Sequence, residues 1–475
     1  MSTPTSNEDA RALATTSSAP ARDEDAPDPF APWSRRALRR CWRALAGPPT
    51  ASTYWLTRFV ILRGIGLVYL VAFLVAAFQL APLIGEGGLL PAGPYLERLA
   101  AHSGGRGAGF LNAPSVFWLD HSDAALLAVS LVGALLSAAV VLGLSNAAVM
   151  IALWCLYLSI LHVGQRWYSF GWETQLLETG LLAALLCPLL GWRPLSARHP
   201  PPRVPIILLR WLIVRIMLGA GLIKLRGDPC WVELTCLETH FETQPLPNPL
   251  SPLLHHLPAW ALRGGVLMNH VTELVAPLFA FGPRRARHVA GALMILFQLV
   301  LIVSGNLSFL NWLTIVPCLA CFDDQLLRRL TPARWRERIT AGRGPAPPSA
   351  AHRYVTYAFA ALVAYLSLPV VANLLGREQA MNRSYDRLHI VNTYGAFGSV
   401  GRERLELVFE GTADELDDPL AREDADWREY AFKCKPGDPA RRPCVISPYH
   451  YRLDWLIWFA ALDVQARGRI EREDW

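Results

Sequence analysis

Apolar residues in this chain come in long uninterrupted runs, not in the short alternations of soluble strands and helices. Gly64–Gly85, Ala124–Gln165, Val289–Phe322 and Tyr354–Gly376 contain no Asp, Glu, Lys or Arg. Runs at or above the roughly 20 residues needed to cross the hydrocarbon of a bilayer read as membrane spans. The pattern predicts nine of them, at Leu56–Ile84, Ala124–Leu142, Ala147–Gly164, Thr174–Leu190, Val204–Lys224, Val266–Phe281, Val289–Ser304, Leu307–Phe322 and Tyr354–Leu375. The sixth is the weakest and is a re-entrant candidate. A Gly143-Leu144-Ser145-Asn146 turn joins the second and third spans too tightly to admit a domain.

After Gly376 the pattern changes. Asp, Glu and Arg become common, and Leu405–Glu410 and Tyr430–Cys434 show partial two-residue alternation, the mark of half-buried strands. The expected fold is an all-α polytopic membrane helix bundle of about nine hydrophobic spans, followed by a small C-terminal β-rich exterior domain. Residues 1–53 form a basic N-terminal tail, 54–376 the membrane domain and 377–475 the exterior domain. Residues 225–265 form an exterior loop, and the basic loop 323–352 lies on the other side. The first 32 residues lack the apolar core of a signal peptide and read as a disordered tail.

Composition agrees: over 475 residues, 52% are hydrophobic and 18% charged, which excludes a simple cytosolic enzyme as well as collagen-like and small disulfide-scaffold classes. The formal net charge of +6 matters less than where the arginines fall. Arg35, Arg36, Arg39, Arg40 and Arg43 precede the first span, Arg193, Arg198 and Arg203 follow the fourth, and Arg284, Arg285 and Arg287 follow the sixth. Arg328, Arg329, Arg334, Arg336, Arg338 and Arg343 follow the eighth. All fall on one side of the nine-span scheme, which the positive-inside rule makes cytoplasmic. Nucleic-acid binding has no support. Cys230 and Cys236, and Cys434 and Cys444, fall on the opposite, oxidising side and are expected to form two local disulfides. Cys155, Cys187, Cys318 and Cys321 lie within spans, where a structural role is favoured over a redox one.

Charged groups inside spans are costly and mark candidate sites. They are Glu173 and Glu178, which bracket the start of the fourth span, Arg210, Arg215 and Lys224 in the fifth, and Asn269, His270 and Glu273 in the sixth. Glu178 and Arg215 are the natural partners, as an ion pair locking two spans together ahead of any catalytic role. No hydrolase, Walker or zinc-protease motif is present. His255-His256 has no ligand partners at useful spacing, and His240 with Glu242 is explained as well by a solvated, disulfide-tied loop as by a metal. The tryptophans and tyrosines near span ends (Trp33, Trp42, Tyr54, Trp55, Trp167, Trp172, Trp192, Trp231) read as an interfacial belt. No cofactor is indicated.

Several strings resemble the lipase maturation factor family: Gly171–Gly180 (GWETQLLETG), Arg215–Lys224 (RIMLGAGLIK), Cys230-Trp231 and His240–Pro245 (HFETQP). The likeness continues through Ser304–Thr314 (SGNLSFLNWLT), Asn392–Gly398 (NTYGAFG), Phe432–Asp438 (FKCKPGD) and Pro448–Trp455 (PYHYRLDW). Family members usually continue past the point where this chain stops, so the exterior domain is expected to be shortened. The resemblance implies a multi-pass endoplasmic-reticulum membrane protein, or a plasma-membrane one in a bacterial source, that assists assembly of secreted dimeric lipases without a reaction of its own. Its partners would be the lipid bilayer and the client lipase. A shorter likeness, Ala220–Leu225 (AGLIKL) followed by Trp231, is similar to the stretch of vitamin K-dependent gamma-carboxylases that carries their catalytic lysine. It implies the alternative of a membrane enzyme with Lys224 as base, against the ordinary reading of a lysine snorkelling from a span end.

Overall fold

A computed structural model describes residues 52–189, 191, 199–340, 348–414 and 425–467. The long apolar runs are helical, and five helices are long and apolar enough to cross a membrane. These are α1 (Trp55–Ile84), α4 (Asp123–Leu142), α7 (Arg203–Arg226), α12 (Arg284–Ser304) and α16 (Ala350–Leu375). Between α1 and α4 lie two short helices that hydropathy does not signal, α2 (Ala92–Ser103) and α3 (Arg106–Asn112). Two shorter apolar helices, α5 (Ala147–Val163) and α13 (Leu310–Cys318), complete hairpins with their neighbours.

Local chemistry sets the boundaries. The tight turn ends α4 at Gly143, whose φ of 105° suits a residue without a Cβ. The α5 helix then starts on Asn146, whose side-chain oxygen accepts from Val149 N–H at 2.8 Å. Helix α4 packs along α1 through small residues: a Cβ on Gly133 would stand 2.3 Å from ring carbons of Phe73. Close backbone approach of this kind holds helices together where lipid supplies no hydrophobic drive.

Of the nine expected spans, five are these long helices, and the other four coincide with shorter pieces. Helix α6 (Gly171–Ala184) has 14 residues and spans only about 21 Å, less than the roughly 30 Å of hydrocarbon. Its residues are buried on almost every side, so its apolar character belongs to the bundle core. The weak sixth segment is broken: α11 (Ala259–His270) passes into a π-helical turn, Val271–Val275, and then a 3₁₀ turn, Ala276–Phe279, that contains Pro277. Proline removes a backbone donor and ends the regular ladder.

One end of the bundle is a charged knot. The Asp324 carboxylate caps α1, accepting from Trp55 N–H at 2.9 Å and Leu56 N–H at 2.8 Å. Asp323 accepts from Arg284 at 2.6 Å and Arg287 at 3.4 Å, and Arg58 donates to the carbonyls of Leu186 and His199. Helix α14 (Asp324–Leu330), helix α15 (Ala333–Thr340) and the start of α16 are at this end, where His352 Nε2 bonds the Leu185 carbonyl oxygen at 2.8 Å. The arginines before Ser52, with Arg193, Arg198 and Arg343, lie outside the described residues.

The expected β-rich domain is not what the chain builds after Gly376. Among the described residues it has two strands of two residues each, β1 (Glu410–Gly411) and β2 (Arg428–Glu429), paired antiparallel as Glu410↔Glu429 and Gly411↔Arg428. A terminal helix, Arg452–Arg467, follows. The alternating segment around Leu405 is held by the bundle instead of by a sheet. Arg404 donates to the carbonyls of Glu242, Gln244 and Pro245, and Glu406 pairs with both Arg404 and Lys435. The segment also shares the main core: Val391, Tyr394, Trp455 and Leu456 belong to the same buried cluster as Ile61, Tyr157 and Leu209.

Candidate functional site

Three buried charge clusters stand in the half of the bundle opposite the charged knot, each formed where the segment after Gly376, or the loop after α7, meets the helices.

The first joins α6 and α7. Glu178 and Arg215 form an ion pair with both side chains almost wholly buried. Burying such a pair is costly unless the remaining lone pairs and protons are satisfied, and the segment 386–394 supplies the partners. The Glu178 carboxylate accepts from the Asn392 backbone N–H at 3.2 Å, the Asn392 side-chain amide at 3.1 Å and the Tyr394 hydroxyl at 2.7 Å. Arg215 donates to the Asn392 carbonyl at 2.8 Å. The turn is shaped by Asp386, which accepts from the N–H groups of Leu388, Ile390 and Val391. Beyond it the chain runs along α7 so closely that a Cβ on Gly219 would lie 2.2 Å from the Tyr394 carbonyl oxygen, and one on Gly227 2.2 Å from that of Gly398.

The second cluster lies at the start of α6. Glu173 accepts from Arg452 at 2.8 Å and from the Tyr157 hydroxyl. Arg452 also donates to the Trp167 carbonyl at 2.6 Å and stacks 3.4 Å from the centre of the Tyr168 ring. Gln79 of α1 bridges backbone groups of His450 and Arg452. Phe170, Trp172, His450 and Trp455 close over this anchor with rings in mutual contact.

The third cluster surrounds Lys224, near the end of α7. It does not snorkel: its side chain is buried, and Nζ donates to Glu273 at 2.6 and 2.7 Å and to Asn269 Oδ1 at 3.0 Å, with the Trp231 ring 5.0 Å away. The π-helical turn carries Glu273, and Asn269 donates to the same carboxylate at 3.0 Å. His270 Nε2 bonds the Trp231 carbonyl at 2.9 Å, while Trp231 Nε1 donates to the Phe397 carbonyl at 2.9 Å. The Cys230–Cys236 disulfide closes the loop carrying Trp231. A general base needs its lone pair directed at a substrate, whereas Nζ of Lys224 is engaged as a donor to Glu273 and Asn269.

Arg210 stands apart from these clusters, donating to the Ala320 carbonyl and the Tyr54 hydroxyl at the knotted end. Further ties run across the end opposite the charged knot. Asn306 donates to the carbonyls of Pro247 and Cys444 and accepts from Ile446 N–H. Cys434 and Cys444 are joined, and the Asp454 carboxylate accepts from the N–H groups of Cys434 and Lys435. Outside the spans, burial and then the Lys224 charge push the His240 pKa down to about 4, and burial and then His162 push His389 down to about 4. Glu242 faces His255, at 3.6 Å. Among the described residues no three potential ligands converge on a metal position.

Polar groups inside apolar runs singled out Glu173, Glu178, Arg210, Arg215, Lys224, Asn269, His270 and Glu273; the structure joins Glu178 to Arg215 and Lys224 to Asn269 and Glu273, sets Glu173 against Arg452, and leaves Arg210 and His270 on backbone carbonyls. Arg452, Asn392 and Tyr394 were not among them, because they sit in polar stretches where such residues are unremarked. Their only sequence signal was membership of the family-like strings. Those strings are distant in the chain but meet here, with GWETQLLETG against both NTYGAFG and PYHYRLDW.

Comparison with known proteins gives the same grouping. The family model described as the lipase maturation factor transmembrane domain matches residues 56–329, and that of the lipase maturation factor C-terminal domain matches residues 390–470. The chain is 52% identical over 440 residues to lipase maturation factor 1 of Bos taurus, covering 88% of this chain and 78% of the relative. It is 49% identical over 453 residues to lipase maturation factor 1 of Homo sapiens, covering 91% and 78%. Lipase maturation factor 2 of Homo sapiens is 29% identical over 526 residues, covering 86% and 72%. No solved structure matches.

Proposed function

This chain belongs to the lipase maturation factor family, and from that membership we propose that it is a membrane-bound factor assisting the folding and assembly of secreted lipases, acting as a scaffold and not as an enzyme. The observation that carries this reading is how the buried charges are used. Glu173, Glu178 and Glu273 each hold a cation and accept further hydrogen bonds, an arrangement that fixes an exterior layer on the bundle and leaves no free base or nucleophile among them. Vitamin K-dependent carboxylase-like chemistry at Lys224 is disfavoured for the same reason.

The orientation follows from charge. The knotted end, rich in arginine, faces the cytoplasm, and the loop 225–265 with the segment 378–475 faces the exterior, which in a eukaryotic cell is the lumen of the endoplasmic reticulum. The four shorter elements, α5, α6, 259–281 and α13, are read as completing nine passes, because each runs between the two ends even where it is too short to cross unaided. The residues 54–376 then form the membrane domain and 377–475 the exterior layer, which presents its outer face to a dimeric lipase client.

The test is complementation. In cells lacking their own maturation factor, the full chain is expected to restore secretion of an active dimeric lipase, and a form ending at Gly376 is not. Full membrane expression without any gain in lipase activity, under conditions where a mammalian relative restores it, would refute the proposal.

A further inference from the structure

The exterior loop after α7 carries apolar side chains that no described residue covers. Leu250, Leu253, Leu257, Trp260, Leu267, Val271 and Leu278 are all exposed, Leu253 at 68% and Trp260 at 78%. They are carried by a succession of short pieces, Ser251–His255, α11 and the turns Val271–Val275 and Ala276–Phe279. The opposite face is buried and polar-locked: Ser251 bonds Asn248 and Gln244, and Leu262, Val266, Asn269 and Glu273 pack inward. Arg263, between Trp260 and Leu267, interrupts these apolar positions and faces Glu238 at 4.0 Å, and Glu242 faces His255 at 3.6 Å.

We infer that residues 250–260 form an interfacial foot lying on the exterior leaflet of the membrane, with Leu253 and Trp260 inserted among the acyl chains. This inference rests on the membrane reading above. The occupant is lipid because the stripe leads onto a helix long and apolar enough to cross a membrane. From Trp260, past Arg263, it goes on through Leu267, Val271 and Leu278, along the segment that packs beside α12, whose own outer face exposes Val289, Leu296, Val300 and Val303. A tryptophan where such a stripe leaves the hydrocarbon matches the preference of its amphipathic ring for the headgroup boundary, and an apolar helical face lying in the interface plane is the usual monotopic device. The foot is fastened to the rest of the molecule by the Gln244, Asn248, Ser251 and Ser304 network. It would therefore set the height of the loop bearing Trp231 over the membrane.

Site-directed spin labelling of the full chain in nanodiscs tests this. Cys41→Ala with Cys155→Ala provides the background, since Cys41 lies outside the described residues and, among those described, Cys155 is the exposed free thiol while Cys187, Cys318 and Cys321 are buried. Labels are placed at Leu253→Cys and Trp260→Cys, both exposed positions whose replacement removes no core contact. Leu135→Cys, exposed on α4, is the lipid control and Asp438→Cys the water control. Molecular oxygen, which concentrates in the bilayer, is expected to relax the labels at 253 and 260 several-fold more than a water-soluble nickel chelate, with Asp438→Cys showing the reverse. Nickel-dominated relaxation at either foot position, with Leu135→Cys still oxygen-dominated, overturns the foot alone. Nickel access at the foot that disappears only when a lipase is added overturns it in favour of a protein partner. Nickel dominance at Leu135→Cys as well would remove the membrane reading and this inference together.

Discussion

At the scale of single residues, the cost of a buried charge decides what each substitution should do. Lys224→Met would strand Glu273 and Asn269 among apolar neighbours, and removing one member of a buried ion pair typically costs about 3–5 kcal/mol. The expected outcome is a marked fall in thermal unfolding temperature of the detergent-solubilised chain, largely recovered by Lys224→Met with Glu273→Leu. A scaffold keeps its lipase-rescuing activity in the recovered double variant. A base-dependent enzyme does not, so stable but inactive double variant would revive the carboxylase reading. Histidines give a second expectation. His240 and His389 have folded pKa values of about 4, below the roughly 6.5 of an unfolded chain. Between those limits the unfolded chain binds more protons, so stability should fall as pH drops from about 6.5 towards 4 and be flat above. His389 has a φ of 53°, which asparagine tolerates, so His389→Asn should shallow that decline without disturbing the turn. Unfolding midpoints at pH 7.5 and 5.0 measure it, and identical pH slopes for the variant and the parent would contradict it. The intramembrane members of these pairs were legible because a charge in an apolar run stands out. Arg452 was not, because an arginine beside Asp454 in a polar segment looks solvated until Glu173 is placed against it.

At the scale of elements, hydropathy located the long helices closely, since α1, α4, α7, α12 and α16 begin and end within a few residues of the apolar runs. It failed where length and burial diverge. An apolar stretch reads the same whether lipid or protein surrounds it, so the sequence does not distinguish α6, whose 14 residues are enclosed by the bundle, from the long helices. Alternation failed after Gly376 for a related reason: Leu405–Glu410 has the two-residue period of a strand, but Arg404 and Glu406 are spent on carbonyls and on Lys435 of neighbouring segments. What fixes this layer is close backbone contact with α7. Gly219→Val should therefore unseat it, since the new Cβ would meet the Tyr394 carbonyl at 2.2 Å and a backbone atom cannot turn aside like a side chain. Hydrogen–deuterium exchange should rise across residues 388–398 while the α1 and α4 amides stay protected. Unchanged exchange in 388–398 would mean that the seat tolerates the extra bulk.

At the scale of the whole molecule, two ends of opposite character meet one bilayer, and sidedness follows from how they are held. At the knotted end, Asp323 and Asp324 consume only part of the cationic charge, leaving exposed arginines such as Arg328, Arg329 and Arg334. Unpaired cations resist translocation and favour the cytoplasmic surface. At the other end, the cations that meet the bundle are neutralised by membrane carboxylates, Arg452 by Glu173 and Lys224 by Glu273, so they offer little resistance. The two disulfides, Cys230–Cys236 and Cys434–Cys444, also lie at this end, as an oxidising compartment would allow. Charge and cysteine chemistry are thus two independent grounds for the proposed orientation. Single cysteines introduced at Ser2→Cys and Asp438→Cys are expected to react with an impermeant maleimide from opposite faces of sealed membranes, Ser2→Cys from the cytoplasmic face. Labelling of both from one face would mean that the chain crosses an even number of times between them. At least one of the four short elements would then turn back inside the bilayer, and α6, enclosed on nearly every side and shorter than the hydrocarbon is thick, would be the first to re-examine.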